Sequence, residues 1–200
     1  MRCETHPSRV VTKSRQRIIR LPFAKEASMP KILAVITELL ILICAMWLLS
    51  FLSTFLHEMG HAVGYMLATG DRRWHIRVGW GKRLLHTEAL TVNLFVFDGL
   101  FIPSGQRLDT REKRIATLSG GPAVSLLLVL GLAFLKFGGF SFPSDILADG
   151  VMEFLLHFSF FLNLWILLLS LAPIHYFHGQ VKGLETDGLQ ILHAMKKDGH

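Results

Sequence analysis

Cysteine is scarce in this 200-residue chain. Cys3 and Cys44 are the only two, which excludes a disulfide framework and any thiolate cluster for a metal. Charge is scarce as well: 18% of residues are Asp, Glu, Lys or Arg, against 51% hydrophobic, whereas a soluble domain carries about 25% charged residues. The shortage is concentrated. Ile32 to Ala68 holds two acids, Glu38 and Glu58, and no Lys or Arg; Thr117 to Leu135 has no charge; Val151 to Phe177 has Glu153 alone. Runs of about 18 or more apolar residues predict membrane-spanning helices. Three such runs predict a multi-pass integral membrane protein in contact with a lipid bilayer, the plasma membrane if the source is bacterial. The net charge is +6, but no stripe of Lys and Arg interleaves with stacking aromatics, so nucleic acid is not an expected partner. Basic residues between apolar runs suit juxtamembrane anchors instead.

The expected fold class is mainly α: a polytopic membrane protein with three core transmembrane helices, at about 32–68, 117–137 and 151–173. Residues 1–31 read as a basic N-terminal arm with eight Lys or Arg. Met29-Pro30-Lys31 would make a natural start, leaving the first 28 residues as an upstream extension. Residues 32–200 read as one domain. The first run would be roughly 55 Å long as a helix; one long tilted helix is favoured, because Ser50 to Ser53 lacks the Gly, Pro or charge that a lipid-embedded break requires. Trp74, Ile76, Val78 and Trp80 alternate with His75, Arg77 and Gly79, and Leu90, Val92, Leu94 and Val96 alternate likewise. A small antiparallel sheet at the membrane surface is expected over about 74–102, with Asp98-Gly99 as a turn signal. Asp109 and Glu112 have capping-box spacing, so a helix is expected to start near Thr110. A short amphipathic segment closes the chain at 188–197. Nine Lys or Arg in 70–116, against none in 138–150, place 70–116 on the cytoplasmic side.

Residues 57–61 are His-Glu-Met-Gly-His. Side chains four apart share a helix face, so His57 and His61 can turn both imidazoles toward one Zn²⁺. Glu58 stands beside them as a general base for a metal-activated water. Three ionisable groups within five residues of an apolar helix are costly without a metal or partner; the bland reading is a buried His–Glu pair serving packing. Gly60 and Gly64 would let another helix or a substrate backbone approach closely. A catalytic zinc needs a third protein ligand, and Asp187, Glu153, His157, His175, His178 and Asp109 are the candidates, among which spacing does not decide.

With these residues the sequence resembles the site-2 protease family of intramembrane zinc metalloproteases, in its divergent small branch. The resemblance rests on HEMGH late in an apolar helix, on Gly121-Pro122 in the next one, and on Asn163, Pro173 and Asp187-Gly188. It spans about residues 32–192. It implies Asp187 as the third zinc ligand, hydrolysis of peptide bonds in or near transmembrane segments, and a membrane protein or membrane peptide as substrate. It implies that Asn163 helps hold the substrate or polarise its carbonyl. Thirteen residues, Ile174 to Thr186, separate Pro173 from Asp187, where the common pattern keeps proline and Asp-Gly close.

Alternatives stand beside each assignment. Asp187 and Gln190 also have capping-box spacing. Asn163 could be an interhelical hydrogen bond, and Gly121 and Pro122 read as structural, a close-packing and kink element. His157 reads as a buried polar contact and His175 and His178 as interfacial. The sheet could add an unwound substrate as a further strand. Two rivals to a protease are a non-proteolytic protein that keeps zinc in a structural or regulatory role, and a transporter or channel subunit whose intramembrane His and Glu line an ion path. The intact Glu58 disfavours the first and the lack of an internal repeat the second.

Overall fold

The computed structural model describes residues 29–138, 149–176 and 181–196. Residues 1–28 of the basic arm, most of the acidic 138–150 loop and His178 lie outside them. The chain divides into two compact units, residues 1–38 and 39–200; the sheet and the site described below belong to the second.

Four helices and one two-stranded sheet follow in the order α1 (Met29–Thr69), β1 (Trp74–His86), β2 (Leu90–Pro103), α2 (Arg111–Phe137), α3 (Asp149–Leu171) and α4 (Asp187–Lys196). The first apolar run is one unbroken helix, as expected from the absence of a breaker near Ser50. α1, α2 and α3 are each long and apolar enough to cross a membrane. Many of their apolar side chains face outward, among them Leu33, Leu40, Leu127 and Trp165. α3 ends at Leu171 because Ala172 precedes Pro173, which disfavours the helical conformation before it.

The strands form an antiparallel hairpin that turns at residues 87–89, where Thr87 N–H bonds Leu90 O at 2.8 Å. Ile76, Arg77 and Val78 pair with Phe101, Leu100 and Gly99 and also with Leu90, Thr91 and Val92. The start of β1 is thus flanked by β2 on both sides. The bend that permits this lies at Gly79 and Gly81, whose φ values of 78° and 89° favour glycine. The expected turn at Asp98-Gly99 is not there: β2 runs through it to Pro103. Gly99 serves a close approach rather than a turn, because a Cβ on it would lie 2.4 Å from Glu58 Oε1.

The sheet packs along α1 rather than beyond its end. Trp47, Phe51, Phe55, Met59 and Ala62 recur at helical spacing and cover Ile76, Val78, Val92 and Val96. Two side chains of α1 bond β2 carbonyls, Trp47 Nε1 to Leu94 O at 2.7 Å and Thr54 Oγ1 to Val96 O at 3.1 Å. These bonds fix the height of the sheet on the helix.

Backbone contact joins α1 to α2. A Cβ on Gly60 would lie 2.3 Å from Gly120 O, one on Gly120 2.1 Å from Gly60 O, and one on Gly64 2.4 Å from Ala116 O. Gly60 and Gly64 therefore admit a neighbouring helix, as their spacing suggested. Pro122 lies inside α2 and is buried, so the helix gives up one backbone bond beside this crossing. The cap of α2 is Thr110, whose Oγ1 accepts from Lys113 N; Asp109, the expected cap, pairs with Lys113 Nζ at 2.9 Å.

Gly60→Ala is expected to destabilise the protein by about 1–3 kcal/mol, the usual cost of overpacking. Gly131→Ala, where a Cβ meets nothing within 4 Å, is expected to be neutral or mildly stabilising. Thermal unfolding of both variants in detergent checks the pair.

Candidate metal site

His57, Glu58 and His61 sit on the buried face of α1, at 5%, 7% and 5% exposure. Each ligand-type imidazole is oriented by a bond at its far nitrogen. His61 Nδ1 donates to the backbone carbonyl of Thr117 at 2.9 Å, and His57 Nδ1 meets Ser125 Oγ at 2.8 Å. Thr117 and Ser125 are themselves buried in α2. A neutral His61 that donates through Nδ1 keeps a lone pair on Nε2. The rings stand at 83° with centroids 5.0 Å apart, so both Nε2 atoms can face one point.

Asp187 faces the same point. Its Oδ2 lies 3.4 Å from His57 Nε2 and 3.4 Å from His61 Nε2. That separation exceeds a normal N–H···O bond of 2.7–3.2 Å, and Asp187 Oδ2 is buried without a hydrogen-bond partner. Ligands held tetrahedrally at about 2.0–2.1 Å from zinc lie about 3.3–3.4 Å apart, so both Asp187–imidazole separations match a tetrahedral edge, and the three ligand atoms all lie within 4.8 Å of one another. Electron-pair donors this close repel one another unless a cation lies between them. Two nitrogens and a carboxylate oxygen are a donor set that zinc accepts. Among the described residues His57, His61 and Asp187 are the group of His, Cys and Asp or Glu able to hold a metal ion.

The remaining candidates lie elsewhere. Asp109 is bound to Lys113. Glu153 is exposed on α3, and His157 Nδ1 bonds its backbone carbonyl at 2.8 Å. His175 is exposed and forms an isolated bridge with Glu185. Asn163 is 2% exposed, with Nδ2 donating to Ser53 Oγ at 2.9 Å and to Ser159 O at 2.8 Å. It thus ties α3 to α1 and lies outside the residues that line the cavities around Glu58.

Between Pro173 and Asp187 the described residues 174–176 pair back onto 183–186. Thr186 N bonds Ile174 O at 3.1 Å, Tyr176 N bonds Leu184 O at 2.9 Å, and Thr186 Oγ1 donates to Ala172 O. At the base a Cβ on Gly188 would lie 2.1 Å from Leu171 O. Glycine is therefore required next to Asp187, and the contact brings the end of α3 back against the Asp-Gly pair. Capping of α4 falls to Thr186, fully buried, which receives Leu189 N on Oγ1 and Gln190 N on its carbonyl. Asp187 is left free to face the imidazoles.

Gly121 carries more than packing. A Cβ there would lie 2.3 Å from His61 Nε2 and 2.8 Å from His57 Nε2. Gly99, Thr117, Ser125 and Tyr176 also belong to the site, and no spacing signal in the sequence marks them. Two openings reach Glu58. One is a largely apolar cavity of about 360 Å³ whose walls include Trp80, Phe97, Trp165 and Leu169. The other, of about 510 Å³, reaches Glu185, Asp187 and Gln190.

Loss of Ser125 as the partner of His57 is expected to weaken zinc affinity about tenfold or more, and Asp187→Ala to weaken it further. Competition against a chelator of known affinity measures both. In comparisons with family models, with curated proteins and with solved structures, the chain matches none, so its own residues carry the functional reading.

Proposed function

We propose that the protein is an integral membrane zinc endopeptidase of the site-2 protease type, cutting peptide bonds in or beside a membrane-spanning segment. The observation that carries the reading is the approach of Asp187 Oδ2 to both His57 Nε2 and His61 Nε2 at 3.4 Å, next to a Glu58 with no ligand role. The three long apolar helices, with exposed apolar side chains along them, support a bilayer environment. Exposed Phe95, Phe97, Leu84 and Leu85 extend that apolar surface onto the sheet.

His57, His61 and Asp187 would hold the ion, which supplies acidity to a water and a positive charge opposite the scissile carbonyl. Glu58 performs the proton transfers: it takes a proton from the attacking water and later delivers it to the leaving amine nitrogen. Gly99 leaves room for the Glu58 carboxylate against β2. Residues 96–99 of β2 line the apolar cavity beside Glu58, where an unwound substrate segment can lie along the strand. The second opening, with polar groups from Glu185 and Gln190, suits water.

A structural zinc site closes its coordination shell and needs no base. A buried carboxylate beside the donors, open to two cavities, therefore favours hydrolysis over a non-proteolytic role. Glu58→Gln is expected to keep stoichiometric zinc while cleavage of a transmembrane peptide in proteoliposomes falls by about 10²–10⁴-fold. Zinc retained with no cleavage by the unaltered protein of any membrane peptide tested would favour the non-proteolytic alternative.

A further inference from the structure

Five residues line both openings to the site: His57, Glu58, Gly99, Tyr176 and Val181. Two have roles in the reading above, and Gly99 and Val181 offer no side-chain donor. Tyr176 is left, with a phenolic hydroxyl that no hydrogen bond occupies among the described residues.

Its backbone is fixed. Tyr176 N donates to Leu184 O and Gly183 N donates to Tyr176 O, both at 2.9 Å, and Gly183 turns the chain at φ 83°. The neighbouring His175–Glu185 bridge and the bond from Thr186 to Ala172 hold the flanking residues together. Backbone bonds to 183–184 thus hold Tyr176 where it lines both openings to the site. A tyrosine is protonated at neutral pH in any case. Here burial pushes the phenol further up, and the charges of Asp187 and Glu58 act in the same direction. The phenol therefore stays a neutral donor.

An acyl-transfer site needs a donor aimed at the oxygen where negative charge develops. Asn163, to which the family resemblance assigns carbonyl polarisation, has both amide hydrogens directed at Ser53 and Ser159. We propose that Tyr176 is a catalytic residue that donates its phenolic hydrogen bond to the oxyanion of the attacked peptide carbonyl. The proposal rests on the endopeptidase reading. In the step, the water oxygen bonds the carbonyl carbon, the C=O π pair moves onto oxygen, and the water proton goes to Glu58. The oxyanion accepts a hydrogen bond from Tyr176, which keeps its proton. When the C–N bond breaks, the pair returns to re-form C=O and Glu58 protonates the amine.

The full chain in proteoliposomes tests this with Tyr176→Phe and two readouts. One is turnover of a transmembrane peptide. The other is calorimetric affinity for a peptide phosphinate, whose tetrahedral anion imitates the oxyanion, beside an uncleaved amide analogue. Removal of one such donor is expected to lower kcat by about 10²–10³-fold with little change in KM. Phosphinate affinity falls in parallel, the amide analogue binds as before, and zinc content is unchanged. Turnover and phosphinate affinity both within about threefold of the unaltered protein would overturn the role of Tyr176 alone. An unaltered protein that neither cleaves nor binds phosphinate would overturn the endopeptidase reading, and Tyr176 with it. If Tyr176→Phe loses zinc or melts early, a fluorinated tyrosine at 176 replaces it. That residue keeps shape and hydroxyl but ionises at lower pH, so the alkaline limb of kcat is expected to move down; an unmoved limb overturns the proposal.

Discussion

Two imidazole nitrogens and one carboxylate oxygen, drawn out of water and aimed at one point, repel each other. The rest of the molecule exists around that constraint. α1 supplies the nitrogens, α4 the oxygen, and α2 the groups that turn the rings, through Ser125 Oγ and the carbonyl of Thr117. A buried carboxylate oxygen without a donor costs several kcal/mol in an apolar setting. A cation of suitable size turns the same arrangement from a penalty into a binding site, so metal affinity and the stability of the α1–α2–α4 junction are expected to be linked.

Glycines decide how closely the supporting parts approach. Gly60 and Gly120 let α1 and α2 meet backbone to backbone, Gly121 clears space for both Nε2 atoms, Gly99 clears space for Glu58, and Gly188 lets α4 start against the last carbonyl of α3. Four elements reach the site, and each does so where a side chain has been removed. Any methyl group added at these positions would push a ligand, the base or a helix out of place. The sheet is positioned differently, by apolar packing and by the bonds of Trp47 and Thr54 to β2 carbonyls. Its placement brings residues 96–99 beside Glu58.

The periodic features were legible in the sequence, because they follow from local rules. Three long apolar helices, two alternating strands and the His57/His61 face all depend on spacing within one element. The third donor depends on tertiary closure across thirteen residues, which spacing could not decide; Asp187 was favoured by resemblance and left open as a cap. At both helix starts a threonine next to the aspartate is the cap, one residue after Asp109 and one residue before Asp187. Thr110 and Thr186 take the capping bonds, and the adjacent Asp109 and Asp187 are thereby released, one to Lys113 and one to the imidazoles. Asp98-Gly99 read as a turn because glycine after aspartate usually marks one. The missing Cβ instead answers to Glu58, a residue some forty positions away. Tyr176, Ser125 and Thr117 left no trace because a single hydroxyl or carbonyl carries no period.

The central claim is that one divalent ion is held by two imidazoles of α1 and one carboxylate of α4. Zinc-edge X-ray absorption of the purified protein tests it most directly. The account predicts one zinc per chain with two imidazole nitrogens and oxygen donors at about 2.0–2.1 Å, and loss of the two-imidazole signature in His57→Ala. Protein without zinc, a sulfur shell at about 2.3 Å, or a spectrum that His57→Ala leaves unchanged would contradict it.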